Sequence, residues 1–203
     1  MITWPKLPDD EGSMNERSPA EAKTHFERMV YRLAAVTECG VLLKPDPELA
    51  GAIGGIPRLD RPVSNALIVA QTVHARAVIG FLDGDPNRAK HDDVIAVEFV
   101  PDWNWTKAGR HLLPIKRRIN KEIAHATTDP PIGKEWRIHA IPLAVSNAFG
   151  AFLEEAEGAI PPDLCKKAWE AMPDVVRNCR GVSGWDWWEH GVEAAIKADP
   201  LAR

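Results

Sequence analysis

The sequence predicts an all-α protein: a helical bundle of four to five main helices with a short C-terminal helical extension. Three observations carry that prediction. Apolar residues recur at helical spacing along most of the chain. The apolar stretch 63–82, VSNALIVAQTVHARAVIGFL, is too long for a single strand. Only DDVIAVEFV at 92–100 alternates like a strand, and one short segment does not make a sheet.

The elements follow in order. Residues 1–17 read as a flexible lead-in, acidic and Pro-rich. At Ser18-Pro19-Ala20-Glu21 a helix begins, with Ser18 as cap, Pro19 at the first helical position and Glu21 closing a capping box. Phe26, Val30, Leu33 and Val36 form its apolar stripe, and Gly40 marks its end. Residues 41–62 hold four prolines and the run 51–55, GAIGG, so they form a long loop, or a loop with a short turn of helix. The second helix, 63–82, is apolar around most of its circumference and belongs at the centre of the bundle. Asp83-Gly84-Asp85-Pro86 ends it. A third helix covers 107–126 with Pro114 splitting or kinking it, and Asp129-Pro130-Pro131 stops it. A fourth runs over 136–157 with Ile141, Val145, Ala148, Phe149 and Phe152 on one stripe. After the break at 158–162, two short helices at 163–172 and 183–197 complete the chain. The bundle therefore spans 18–158, and a Trp-rich extension packed on it spans 159–203.

Composition narrows the function classes. With 203 residues, 45% hydrophobic and 27% charged, the chain has enough apolar material for one core. A net charge of -4 excludes a uniformly basic coat but not a local basic patch. There is no apolar signal region at the start, and no apolar run approaches the roughly 20 residues that span a bilayer. The expectation is a cytoplasmic protein without membrane contact. Cys39, Cys165 and Cys179 are odd in number and widely spaced, as expected of reduced thiols rather than a zinc site.

The most informative stretch is 117–128, RRINKEIAHATT. At about 100° per residue, Leu112, Ile115, Ile119, Ile123 and Ala126 share one sector, the core face. Arg118 and His125 are seven residues apart, on one line bordering that face. This is where a cleft or a dimer interface would form. Lys107, Arg110, Lys116, Arg117, Arg118 and Lys121 are all basic, and no acidic residue falls between Trp103 and Glu122. Arg110, Lys116, Arg117 and Lys121 are therefore candidate phosphate or RNA contacts. Arg118 and His125 suit RNA cleavage without a metal. Imidazole exchanges protons near neutrality, and a guanidinium fork stabilises charge developing on phosphate. A structural alternative pairs Arg118 with Glu122 one turn on and sets His125 against the helix C-terminal dipole.

The spacing Arg118, six residues, His125 resembles the motif of the HEPN superfamily, helical domains of prokaryotic toxins, abortive-infection proteins and RNases. The segments HARAVIGFL at 74–82, DDVIAVEF at 92–99, RINKEIAHAT at 118–127 and KEW at 134–136 are similar to a group of bacterial helical proteins. The resemblance covers about 60 residues of the middle of the chain. It departs at Ile119, where the family often carries a polar residue, and Asn120 comes one later. The resemblance implies a homodimer that brings two Arg–His motifs together, and metal-independent endonucleolysis of RNA. His125 would act as general base or acid, Arg118 would bind phosphate, and Asn120 would orient the site. Several members of that family are non-catalytic binding modules, which is the alternative function: an interaction or regulatory protein on the same scaffold.

Other features carry secondary expectations. His74 shares a face of the second helix with Leu67 and Val78, and either hydrogen-bonds in the interior or lines the same cleft as His125. Arg76 points the opposite way and would pair with Asp83. His91-Asp92-Asp93 has no second cluster to complete a metal site, so neither metal nor cofactor is expected. Trp185, Trp187 and Trp188, with Trp169 before them, either pack the extension onto the bundle or present a partner-binding patch.

Overall fold

The structure is a computed structural model that describes residues 17–43, 60–87, 89, 93–105, 112–120 and 140–178. Among the described residues it is all helical: α1 (Pro19–Leu42), α2 (Asp60–Leu82), a 3₁₀ turn (Ala96–Glu98), α3 (Leu112–Ile119), α4 (Ala140–Glu155), α5 (Pro162–Glu170) and α6 (Asp174–Arg177). No β-strand occurs among these residues, and the single isolated bridge joins Glu157 to Ile160.

α1 starts as its sequence dictates. The Ser18 hydroxyl accepts from the Glu21 amide, and the Glu21 carboxylate accepts from the Ser18 amide at 2.8 Å. The Ser18 hydroxyl also donates to that carboxylate at 2.8 Å, and this bond first, with the amide's, lowers the Glu21 pKa. The helix runs through Gly40 to Leu42, because Gly40 is needed for packing rather than termination. A Cβ there would lie 2.6 Å from Pro142 Cγ and 3.0 Å from Gln71 Nε2. Arg17, just ahead of the helix, is held by side-chain contacts. Arg17 Nε donates to Glu98 Oε2 at 2.8 Å, and its guanidinium also reaches the Asp93 carbonyl.

α2 is the central helix, packed against α1, α3 and α4. Its window Asn65–Leu82 has a mean hydropathy of 1.3 and is long and apolar enough to cross a membrane by length and composition. By length and composition it reaches the span that the sequence reading held no apolar run to approach. In the fold, the window also carries Gln71 and Thr72, both fully buried. Thr72 bonds back to its own helix, and Gln71 Nε2 donates to the Val36 carbonyl of α1 at 3.4 Å. Trp103 Nε1 donates to the Leu82 carbonyl at 2.8 Å, satisfying one of the acceptors that a helix leaves open at its C-terminus.

The strand-like segment turns back as a 3₁₀ turn instead. Ile95, Ala96 and Phe99 are buried, and the Glu98 carboxylate accepts from the Ile95 amide at 3.2 Å. With no neighbouring strand among the described residues, this local bond serves the backbone that a ladder would have served. At its centre the core is aromatic. Phe26, Phe81, Phe99, Phe149 and Phe152 are fully buried, with Phe81 and Phe152 edge to face at 5.1 Å and Trp103 perpendicular to Phe152 at 5.4 Å.

The chain breaks after α4 at Gly158, whose φ of 87° is open to glycine at little cost. α5 and α6 then return to the same core, through Leu164, Ala168, Trp169, Met172 and Val176. Trp169 lies over Gly150 of α4, where a Cβ would come within 3.1 Å of the indole. The Cys39 thiol is buried, which raises its pKa, and Cys165 Sγ donates to the Ile160 carbonyl at 3.8 Å. Cys179, the helix expected at 183–197 and Trp185, Trp187 and Trp188 lie outside the described residues.

Candidate functional site

The described part of α3 has the rotational phase that its apolar spacing predicts. Leu112 and Ile119 are buried, and Ile115 packs half-buried against the same core. Arg118 belongs to the helical backbone one residue before Ile119, while its side chain lies outside the described residues. His125, Arg110 and Lys121 also lie outside them. Asn120 is half-buried, and its Oδ1 is buried without a hydrogen-bond partner among the described residues.

Two expected phosphate contacts stand in different surroundings. Arg117 is exposed. Lys116 is half-buried and forms an ion pair with Asp83 at the end of α2. That pair corrects the expected partnership of Arg76 with Asp83. Two helical turns, about 10 Å, separate Arg76 from Asp83 along α2, whereas α3 brings Lys116 directly alongside. Arg76 is exposed.

His74 is half-buried beside α1. Its ring meets Tyr31 edge-on at 5.8 Å, and its Nδ1 is buried without a partner among the described residues. Burial lowers its pKa, and the nearby Arg32 guanidinium lowers it further. His74 is half-buried rather than interior, and the hydrogen bond expected of an interior histidine is absent at Nδ1 among the described residues.

A concavity lies on the α1–α2 face, where the sequence reading had placed nothing. It has a volume of about 480 Å³. His25, Arg28, Met29 and Arg32 of α1 line one wall, at the i, i+3, i+4, i+7 spacing of a single helix face. Ala77, Gly80 and Phe81 of α2, followed by Gly84, line the floor at the same spacing. Asp85, Ala89 and residues 93–95 close the far side. Gly80 opens the space, since a Cβ there meets nothing within 4 Å. Gly84 does the opposite. A Cβ at Gly84 would collide with the Ile95 side chain, so its lack of a side chain lets residues 93–95 fold over the end of α2.

The α1 wall is electropositive. Among the described residues, no carboxylate pairs with Arg28 or Arg32. The pKa of His25 is lowered first by burial and then by Arg17 and Arg28, against a smaller opposing pull from Glu98 and Glu21. Three cationic or protonatable groups thus face one small volume, which suits an anion. The signal was present as His25, Arg28 and Arg32 flanking the Phe26–Leu33 core stripe, but a single helix does not reveal what its polar flank faces. No group of metal-ligating side chains occurs among the described residues, and His91 and Asp92 lie outside them. No protein-family model, curated protein or solved structure matches the chain.

Proposed function

We propose that the chain is a HEPN-like, RNA-acting helical protein in which Arg118 and His125 cleave RNA without a metal. One observation supports this reading most: the burial of Leu112 and Ile119, which sets the phase of α3. A helix continued at that phase carries the Arg118 and His125 positions on one line, about 100–120° from Ile119 and at the margin of the packed face. There an imidazole can exchange the proton of a ribose 2′-hydroxyl while a guanidinium binds the phosphate. Arg117, exposed on the same helix, adds electrostatic attraction to the backbone. A homodimer joining two such motifs, and a partner surface at Trp185, Trp187 and Trp188, belong to the same proposal.

The test is cleavage of a mixed RNA pool in the presence of a chelator. Arg118→Ala and His125→Ala are each expected to slow cleavage by about 100-fold or more. Intact RNA, with and without divalent ions, would overturn the reading. One observation favours a second reading, a non-catalytic interaction protein. Lys116 is committed to Asp83, and the residue after Arg118 is a fully buried isoleucine, so this part of α3 serves the fold. On that reading, His125→Ala lowers the melting temperature and removes no activity.

A further inference from the structure

We propose that the cleft between α1 and α2 is the docking site of the chain's own N-terminal segment, with Asp9, Asp10 and Glu11 laid against Arg28 and Arg32, and Leu7 and Trp4 against Tyr31, Val69 and Val73. The inference does not rest on the RNA-cleavage reading, because none of these residues is on α3.

Position and charge identify the occupant. Residues 1–16 join the described chain at Arg17. Arg17 sits at the rim of the cleft, bonded to Glu98 and to the carbonyl of Asp93, one of the lining residues. The pKa of His25, on the α1 wall, is lowered by burial and then by this same Arg17. On that wall Arg28 is exposed and Arg32 half-buried, and neither is paired with a carboxylate among the described residues. Glu27 turns about 100° away from Arg28 and does not line the cleft. Asp85 and Asp93, on the far side, have interactions of their own. The segment is acidic, with Asp9, Asp10, Glu11 and Glu16 against Lys6 alone.

Length and order fit as well. At the helical rise, Arg28 lies about 16 Å and Arg32 about 22 Å along α1 from Arg17. An extended chain covers about 3.3 Å per residue, so Asp10 reaches about 23 Å and Asp9 about 26 Å. Pro5 and Pro8 favour such extended backbone. α1 and α2 run antiparallel, since Tyr31 meets His74 while Val36 meets Gln71. From Arg17 along the cleft, Arg28 therefore comes first, Tyr31 and Arg32 next, and Val73 and Val69 of α2 last. Tyr31 is 66% exposed, and Val69 and Val73 are 46% exposed, so apolar surface lies open beyond the arginines. From Arg17 back along the chain, the acids come first, and Leu7 and Trp4 follow. A short tether holds its segment at an effective concentration of about millimolar. Exposed charge pairs, individually weak, then suffice for the tethered segment where a free anion would need more affinity.

Zero-length coupling in the full chain tests the assignment. Arg28→Lys/Arg32→Lys keeps both charges and supplies amines that a carbodiimide joins to a carboxylate in contact. Joined peptides are read by mass spectrometry from an equal mixture of unlabelled and nitrogen-15-labelled protein. The ion pair of Lys116 with Asp83 is the positive control in the same sample. Links from residues 9–11 to position 28 or 32, within one isotope, are expected. Their absence beside a formed Lys116–Asp83 link would overturn the proposal. Links that mix isotopes would overturn it in favour of a second copy's segment. Trypsin gives an independent readout at Lys6, the only lysine or arginine among residues 1–16. In Arg28→Ala/Arg32→Ala the segment itself is unchanged. Cleavage after Lys6 should there run about threefold faster or more than in the parent, because proteolysis tracks the undocked population. Equal rates at an unchanged circular dichroism spectrum overturn the docking, and if that variant loses its fold the coupling result alone decides.

Discussion

Lys116 on α3 is ion-paired with Asp83 at the C-terminal end of α2, and both side chains are partly shielded from water. The pair ties the basic segment to the central helix and takes one cation away from any external phosphate. Asp83→Asn is expected to cost about 1 kcal/mol in chemical denaturation. Lys116→Met should cost a similar amount while leaving RNA affinity near that of the parent. Arg117→Ala should instead weaken RNA binding and reduce the slope of log affinity against log salt by about one. If Lys116→Met reduces that slope as much as Arg117→Ala does, the ion pair does not persist in solution.

Two glycines at the end of α2 should respond in opposite ways. Gly84→Ala drives a methyl into the Ile95 side chain, and such overpacking costs about 1–3 kcal/mol. Gly80→Ala enters open space within a helix and should stabilise by about 0.4–1 kcal/mol through the unfolded chain. Equilibrium denaturation of the two variants side by side checks the sign of each change.

Trp103→Phe keeps an aromatic ring near Phe152 but removes the indole N–H that serves the Leu82 carbonyl. A buried acceptor left without its donor costs about 1–3 kcal/mol. Hydrogen exchange should then quicken in the last turn of α2 before global unfolding. Unchanged protection there would show that another donor takes over.

Stability should fall on mild acidification. His25 and His74 both have pKa values lowered in the folded state, each through burial first and neighbouring arginines second. The unfolded chain therefore takes up protons at a higher pH than the native one. Their contribution is complete above the ordinary value of 6.5 and is lost as pH falls from there through the depressed folded values. His74→Phe retains a ring beside Tyr31 and removes one titrating group. Its denaturation midpoint should drop less steeply below pH 6.5 than that of the parent, and an equal slope would exclude His74 as a contributor.

Local chemistry made much of this fold legible in the sequence. Ser18, Pro19 and Glu21 specify the start of α1 because a capping box needs only residues within one turn. The apolar stripes of α1, α3 and α4 identified buried residues correctly at Phe26, Leu33, Leu112, Ile119, Val145 and Phe149, since one face of a helix must leave water. What only the tertiary structure decided was which polar groups meet. Gly40 reads as a stop signal until Pro142 and Gln71 crowd it, and Asp83 reads as a partner for Arg76 until α3 delivers Lys116. Within the strand-like segment, residues 93–100 make a turn because Glu98 caps Ile95 and Gly84 lets them close over α2. The Arg118–His125 motif is visible as a spacing on one helix. The cleft of His25, Arg28 and Arg32 is not, because a site formed between two helices exists only once packing sets their faces opposite each other.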